Sequence, residues 1–277
     1  HVLEVVDVET GQRRRVAASV EGAWSPDGSR VALAGADCEA RFQKTIHDLA
    51  TGTIAALLPQ YPDASAFISP DWSRVAYFKS GGPVLAGPTP DDTLYVANLD
   101  GTDERALPTA GLGRGIPTWS PDGQWIAYAP RLTTPNGFVY TPYILRADAS
   151  GAASKLAERG DAGPWSPDSS MVLIHDEANP SDPFDDAHFV YEVTGAKKHD
   201  FRSGPTYALE WSPTSRQFAF ISSARDDRGS LFIYDVPSAI TTTVTTASIL
   251  PATPRWSPDG KQIAFLGIPG GYDYRSC

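Results

Sequence analysis

Short runs of alternating apolar and polar residues recur along the chain, and a polar turn containing Pro precedes each one. The runs are Arg30-Val31-Ala32-Leu33, Arg74-Val75-Ala76-Tyr77, Trp125-Ile126-Ala127-Tyr128, Met171-Val172-Leu173-Ile174, Gln217-Phe218-Ala219-Phe220 and Gln262-Ile263-Ala264-Phe265. Alternation over four residues between turn signals predicts β-strands. In several units a further apolar run follows a variable polar stretch and ends at an Asp or Gly turn, as in Thr93-Leu94-Tyr95-Val96-Ala97-Asn98-Leu99-Asp100-Gly101 and Ser230-Leu231-Phe232-Ile233-Tyr234-Asp235. A more polar strand, such as Arg105-Ala106-Leu107, closes the unit. No stretch carries a helical pattern.

The turns are copies of one motif. Trp24-Ser25-Pro26-Asp27-Gly28 recurs as Trp119-Ser120-Pro121-Asp122-Gly123 and Trp256-Ser257-Pro258-Asp259-Gly260. Weaker copies are Ile68-Ser69-Pro70-Asp71-Trp72, Trp165-Ser166-Pro167-Asp168-Ser169 and Trp211-Ser212-Pro213-Thr214-Ser215. The copies start at 24, 68, 119, 165, 211 and 256, a spacing of 44 to 51 residues. Pro presets φ for the first corner of a tight turn, Asp bonds its own downstream backbone, and Gly takes the positive φ that completes a hairpin. The copies with Trp72, Ser169 or Ser215 in place of Gly should therefore be strained or turn differently.

Four short antiparallel strands per unit, at a period near 45 residues, predict an all-β, six-bladed β-propeller. Residues 2–17 read as a third and fourth strand with no first or second, whereas 253–277 supply a first and second strand and then stop. The N-terminal strands are thus expected to complete the last blade and close the ring, making 1–277 one domain. A sandwich would not explain six equivalent turns.

The repeated Trp-Ser-Pro-Asp-Gly, followed by a strand such as Gln124-Trp125-Ile126-Ala127-Tyr128, resembles the WD-like repeats of TolB-like six-bladed propellers over essentially the whole chain. That resemblance implies the fold and, from the family's exported bacterial members, a periplasmic or secreted setting and a binding or scaffolding role. It implies little about chemistry, because one propeller fold serves many functions.

Composition agrees. The 277 residues include 24 Gly, 24 Pro and 7 Trp against one Met, the profile of a turn-rich globular chain. The repeat overrides the two domains that length alone suggests. A formal charge of −10 argues against nucleic acid, which needs a clustered basic surface. Arg13-Arg14-Arg15 reads as the solvated face of a strand. No run approaches the roughly 20 apolar residues of a membrane-spanning helix. The chain starts at His1 without a signal-type segment, as after removal of a targeting sequence or trimming. A monomer is expected.

The motif side chains are read as structural: Trp24, Trp119, Trp165, Trp211 and Trp256 fill the space between neighbouring blades, and Asp27, Asp122 and Asp259 belong to turns. Function is expected on the opposite face, where the second-to-third strand loops are long and varied. The richest is 175–188, with His175, Asp176, Asp185, Asp186 and His188. It is either a solvated acidic loop or a metal site, with Asp185, Asp186 and His188 as donors: oxygen ligands suit Ca²⁺, and added imidazole shifts the preference toward Zn²⁺ or Mn²⁺. Asp161 and Arg225, with Arg114 and Arg131 from the third blade, complete a mixed-charge pocket able to take a carboxylate or phosphate. Glu210 and Arg255 precede motif Trp residues in consecutive blades and are expected to pair. Cys38 and Cys277 fall on neighbouring blades and are either a disulfide that locks the ring or two separate thiols.

Two classes of function follow. The first is a non-catalytic propeller that binds a protein, peptide or glycan. The second is an enzyme with a metal, calcium or similar, near the axis, lyase- or lactonase-like, or the propeller of a prolyl-oligopeptidase-type hydrolase. The sequence contains no Gly-x-Ser-x-Gly nucleophile elbow.

Overall fold

The computed structural model describes residues 3–6, 8–17, 21–36, 42–61, 64–79, 93–109, 115–134, 137–176, 187–194, 198–202, 206–223, 229–245 and 249–269. Their regular structure is entirely antiparallel β. It opens with a hairpin, β1 (Leu3–Val6) and β2 (Arg13–Ala17). Sheet one is β3 (Glu21–Trp24), β4 (Arg30–Ala36), β5 (Phe42–Asp48) and β6 (Ile54–Ala56). Sheet two is β7 (Ser65–Ile68), β8 (Arg74–Phe78), β9 (Leu94–Asn98) and β10 (Arg105–Ala106). Sheet three holds β11 (Pro117–Trp119) and β12 (Trp125–Tyr128); after an inserted hairpin, β13 (Arg131–Thr134) and β14 (Gly137–Tyr140), it continues with β15 (Tyr143–Arg146) and β16 (Ser154–Lys155). Sheet four is β17 (Asp161–Trp165), β18 (Met171–Asp176), β19 (Ala187–Glu192) and β20 (Lys198–Arg202). Sheet five is β21 (Thr206–Trp211), β22 (Gln217–Ser223), β23 (Gly229–Asp235) and β24 (Ile240–Thr243). The final pair is β25 (Ile249–Trp256) and β26 (Ile263–Pro269).

Each four-stranded sheet is an up-and-down meander, and the motif turn joins its first two strands. Among the described residues, β1–β2 and β25–β26 form separate two-stranded sheets. Among the described residues, no helix is long and apolar enough to cross a membrane.

The motif builds one turn throughout. The residue in the fifth position donates its N–H to the motif Ser carbonyl, as Gly28 does to Ser25 at 2.9 Å and Ser169 to Ser166 at 2.9 Å. Its φ is positive whether it is Gly28 (69°), Gly123 (67°) and Gly260 (68°) or Trp72 (58°), Ser169 (65°) and Ser215 (58°). Non-Gly residues in this region cost about 1–3 kcal/mol each, so the expected strain is present without a change of turn. The strained side chains gain contacts to the preceding sheet in return. Ser169 Oγ accepts the Asp122 N–H at 2.9 Å and Ser215 Oγ accepts that of Asp168 at 3.0 Å. Trp72 is buried, with the Arg30 guanidinium 5.3 Å from its ring centroid.

The motif Ser is a hydrogen-bonding hub. Ser25 Oγ donates to Asp27 Oδ1 at 2.6 Å and accepts the Arg30 N–H at 2.9 Å, and Ser69, Ser120, Ser166 and Ser257 repeat the donation. The Ser25 hydroxyl, then the Ser29 amide and hydroxyl, hold Asp27 down to about 2. Ser257 and the Lys261 amide lower Asp259 in the same way. At Asp71 and Asp168 burial pushes upward, and the hydroxyl and amide donors outweigh it. A carboxyl depressed in the folded state contributes stability that is present above its ordinary pKa and lost as pH falls toward the folded value. The thermal midpoint should therefore drop between about pH 4 and pH 2. Ser25→Ala and Ser257→Ala together should flatten that drop in a pH series of melts; an unchanged slope would refute the assignment.

Consecutive sheets pack face to face, and the apolar core is divided among the seams between them. One cluster joins Phe78 and Leu94 of sheet two to Trp119 and Ile126 of sheet three, and another joins Leu173 and Val190 of sheet four to Trp211 and Phe218 of sheet five. Four motif indoles cross these seams. Nε1–H of Trp119, Trp165, Trp211 and Trp256 donates to the carbonyls of Phe67, Thr118, Pro164 and Glu210 at 2.9, 3.2, 3.1 and 3.2 Å. Trp24, on sheet one, is 54% exposed. The expected ion pair is present, with Arg255 Nη1 3.1 Å from Glu210 Oε2 across the seam from β21 to β25.

Candidate functional site

Motif turns occupy one end of the sheets, and the varied connections occupy the other. The connection after β12, expected to be a loop, is instead the β13–β14 hairpin, with Arg131 opposite Tyr140 and Thr133 opposite Phe138. Backbone contacts fix its base. Thr141 donates its N–H to Pro130 O at 3.2 Å and its hydroxyl to Glu158 O at 3.1 Å, and the Gly160 N–H bonds Tyr140 O at 2.9 Å. A Cβ on Gly115 would stand 2.3 Å from the Ala129 carbonyl oxygen, so only Gly permits this approach of β11 to the hairpin stem.

The hairpin presents one face. Arg131 lies 3.9 Å over the Phe138 ring, which meets Tyr140 edge-on at 5.9 Å. Arg131 is thus engaged in stacking, which holds its guanidinium on an aromatic platform. Phe138 is 50% exposed, as is 64% of Ile116 across the adjoining cleft. The cleft, about 540 Å³, is lined by Ile116, Thr118, Ala129, Tyr140, Asp161 and Ala162, with Gly115 at its edge. The Asp161 side chain has no hydrogen-bond or ionic partner among the described residues. Aromatic and apolar walls around one free carboxylate suit recognition of a mixed polar and apolar ligand.

Sheet four carries a second feature. Asp161, His175, His188 and Phe201 stand opposite one another on its four strands, so their side chains share a face. The His175 and His188 rings are 4.9 Å apart, and His188 stacks on Phe201 at 5.2 Å. The sequence placed both histidines in or beside a loop; strand pairing brings them together. His188 is only 6% exposed, and its Nδ1 has no partner among the described residues. Burial first, and the charge of His175 second, push His188 down to about 4, which makes it a neutral imidazole at physiological pH.

Among the described residues no group of three or more His, Cys, Asp or Glu side chains is arranged to hold a metal. Asp176 ends β18. Arg114, Asp185, Asp186, Arg225, Cys38 and Cys277 lie outside the described residues.

A third cluster went unread in the sequence. Lys79 Nζ lies 2.6 Å from Glu104 and 4.0 Å from the Tyr95 ring centroid, and the Tyr77 hydroxyl donates to Glu104. Burial, then the Glu104 hydrogen bond, pushes Tyr77 up; the same carboxylate raises Lys79. The members satisfy one another, as in a cross-braced wall of sheet two.

No family model matches the sequence, and no curated protein matches it. Solved structures do. The β-propeller domain of the Trilobed protease from Pyrococcus furiosus, described as having an open velcro topology, aligns with a TM-score of 0.57 at 13% identity, over 96% of this chain and 80% of its own. An oligogalacturonate lyase in complex with manganese aligns with a TM-score of 0.59 at 13% identity, over 95% and 78%. A putative TolB from Agrobacterium tumefaciens reaches 0.48 at 15% identity, over 98% and 79%. The chain spans less than half of the acylaminoacyl peptidases and prolyl endopeptidase that also align. At these identities the likeness carries the fold alone: the chain is similar to β-propellers.

Proposed function

We propose that the chain is a six-bladed, non-catalytic binding propeller that presents its varied face to a protein, peptide or glycan, acting as a monomer in the periplasm or outside the cell. The observation that carries this reading is the β13–β14 hairpin, which sets Phe138, Tyr140 and Ile116 beside the unpartnered Asp161. Exposed aromatic side chains on a rigid stem anchor ligands at low entropic cost. A formal charge of −10 disfavours nucleic acid. Peptide and glycan arrays should yield ligands whose affinity falls at least tenfold in Phe138→Ala/Tyr140→Ala. Ligands bound equally by this variant would sink the assignment.

The same proposal closes the ring through 2–17 and 253–277, as one domain. By the register of the other seams, the Trp24 indole would then donate to the Arg255 carbonyl. A Cys38–Cys277 disulfide would lock that closure. Intact mass after alkylation, with and without reductant, tests it, and identical masses exclude the bridge.

The paired His175 and His188 favour a second reading, an enzyme with a metal near the axis. A pair of imidazoles suits Zn²⁺ or Mn²⁺ better than Ca²⁺. Elemental analysis of protein purified without chelators separates the two: stoichiometric metal lost in His188→Ala supports the enzyme, and metal-free protein supports the binding module.

A further inference from the structure

The cleft beside the β13–β14 hairpin is one-sided in its chemistry, and that imbalance names a class of ligand. It lies at the seam between sheets three and four, where the Trp165 indole donates across to the Thr118 carbonyl at 3.2 Å. Ile116, Ala129, Ala162 and the Tyr140 ring form its walls. The Thr118 hydroxyl, which also borders it, is turned to the Ala127 carbonyl at 3.2 Å. Asp161 is the one carboxylate on this lining, and no Lys, Arg or His stands among the described residues that form it. The side chain is exposed where β17 begins. The hairpin's own cation, Arg131, is engaged with Phe138 at 3.9 Å, and Arg159, two residues before Asp161, is not on the lining. A carboxylate accepts hydrogen bonds and donates none. The cleft therefore offers a negative acceptor against an apolar wall and supplies no counter-charge of its own.

Resting on the binding reading above, we propose that the cleft takes a basic side chain, lysine or arginine, of a partner peptide. The cation meets Asp161, and the methylene stem lies along Ile116, Ala129 and Ala162, as long basic side chains bury their carbons and keep the charged head at a polar group. Of the donors a ligand can bring, a charged one gains most from a bare carboxylate. At about 540 Å³ the cleft is of ligand-pocket size. Ile116 and Phe138, exposed beside it, take apolar residues that flank the basic one. The formal charge of −10 draws a basic segment toward the protein and repels an acidic one.

An array of capped peptides, each carrying its basic residue either as such or as the uncharged isostere, acetyl-lysine or citrulline, tests this on the full chain. The charged member of each pair is expected to bind about tenfold tighter or more, the worth of one charge-assisted hydrogen bond. That preference should shrink as salt is raised and vanish in Asp161→Asn, an isosteric change at an exposed position. Peptides that need Phe138 and Tyr140 but bind equally in both forms, or equally to Asp161→Asn, overturn the inference and leave the binding reading standing. Absence of any basic peptide among the ligands, glycans alone being bound, overturns it as well. Ligands indifferent to Phe138→Ala/Tyr140→Ala sink the binding reading, and this inference with it.

Discussion

Trp211→Ala is expected to lower the free energy of unfolding by about 3–5 kcal/mol. The indole is 7% exposed, packs edge-on against Phe218 at 5.2 Å, and donates across the seam to the Pro164 carbonyl at 3.1 Å. Truncation opens a void among Met171, Leu173, Phe201 and Phe218, which other strands hold apart, so the site cannot collapse onto it. It also strips the Pro164 carbonyl of its donor, at a further cost. Trp211→Phe should recover part of the packing but not the hydrogen bond, placing it between the two in urea denaturation. Trp24→Ala gives the decisive contrast. If residues 2–17 and 253–277 close the ring, Trp24 is a seam indole like Trp211 and its loss costs a similar amount. A cost below about 1 kcal/mol, as for a half-exposed surface residue, would overturn closure.

The all-β architecture was legible because one turn recurs. Ser-Pro-Asp places a buried hydroxyl, a preset φ and a carboxylate acceptor at fixed offsets, and the alternating run that follows each copy can only be a strand. The substitution of Trp72 for Gly and Ile68 for Trp was legible as two local departures but not as one exchange. Only the contact with Arg30 reveals that Trp72 supplies, from the turn, the aromatic surface that the first motif position lacks. Side-chain direction across a seam is a tertiary property, and the linear repeat does not encode it.

The site was less legible. Arg131 and Asp161 were singled out by charge, and the structure places Asp161 on the cleft while Arg131 stacks on Phe138. The hairpin itself was missed although a signal existed in the sequence: the turn-prone dipeptide Asn136-Gly137 is followed by the β-prone run Phe138-Val139-Tyr140. Length misled, since a 13-residue connection between predicted strands read as loop. His47 on β5 and His199 on β20 are also largely buried, which their place in the sequence does not reveal. Thr45 bonds His47 at 2.9 Å, and Glu192 bonds His199 at 2.9 Å. Thr45 lies two residues away on the same strand, whereas Glu192 comes within reach of His199 only when β19 pairs with β20.

Between pH 7 and pH 4 the protein should lose about 3 kcal/mol of stability through His188 alone. The ring is held at about 4 against an ordinary 6.5, first by burial and then by the neighbouring His175 charge. Between those values the unfolded chain binds a proton that the folded chain refuses. The neutral ring's contribution is therefore complete above about pH 6.5, falls as pH drops, and is spent near pH 4. Because the group is buried, solvent screens little of this. The window lies above that of the turn carboxylates, which act below about pH 4, so the two slopes separate in a pH series of chemical melts. His188→Phe removes the titration and sets an aromatic ring beside Phe201, and its slope from pH 7 to pH 4.5 should shrink to what His47, also lowered by burial, leaves; a slope equal to the parent's would assign the effect elsewhere. A divalent ion held by His175 and His188 competes with the same protons, so added Zn²⁺ should steepen the parent's slope and leave His188→Phe unchanged. Without that steepening, the histidine pair belongs to the packing of sheet four, with the binding surface left to the neighbouring hairpin.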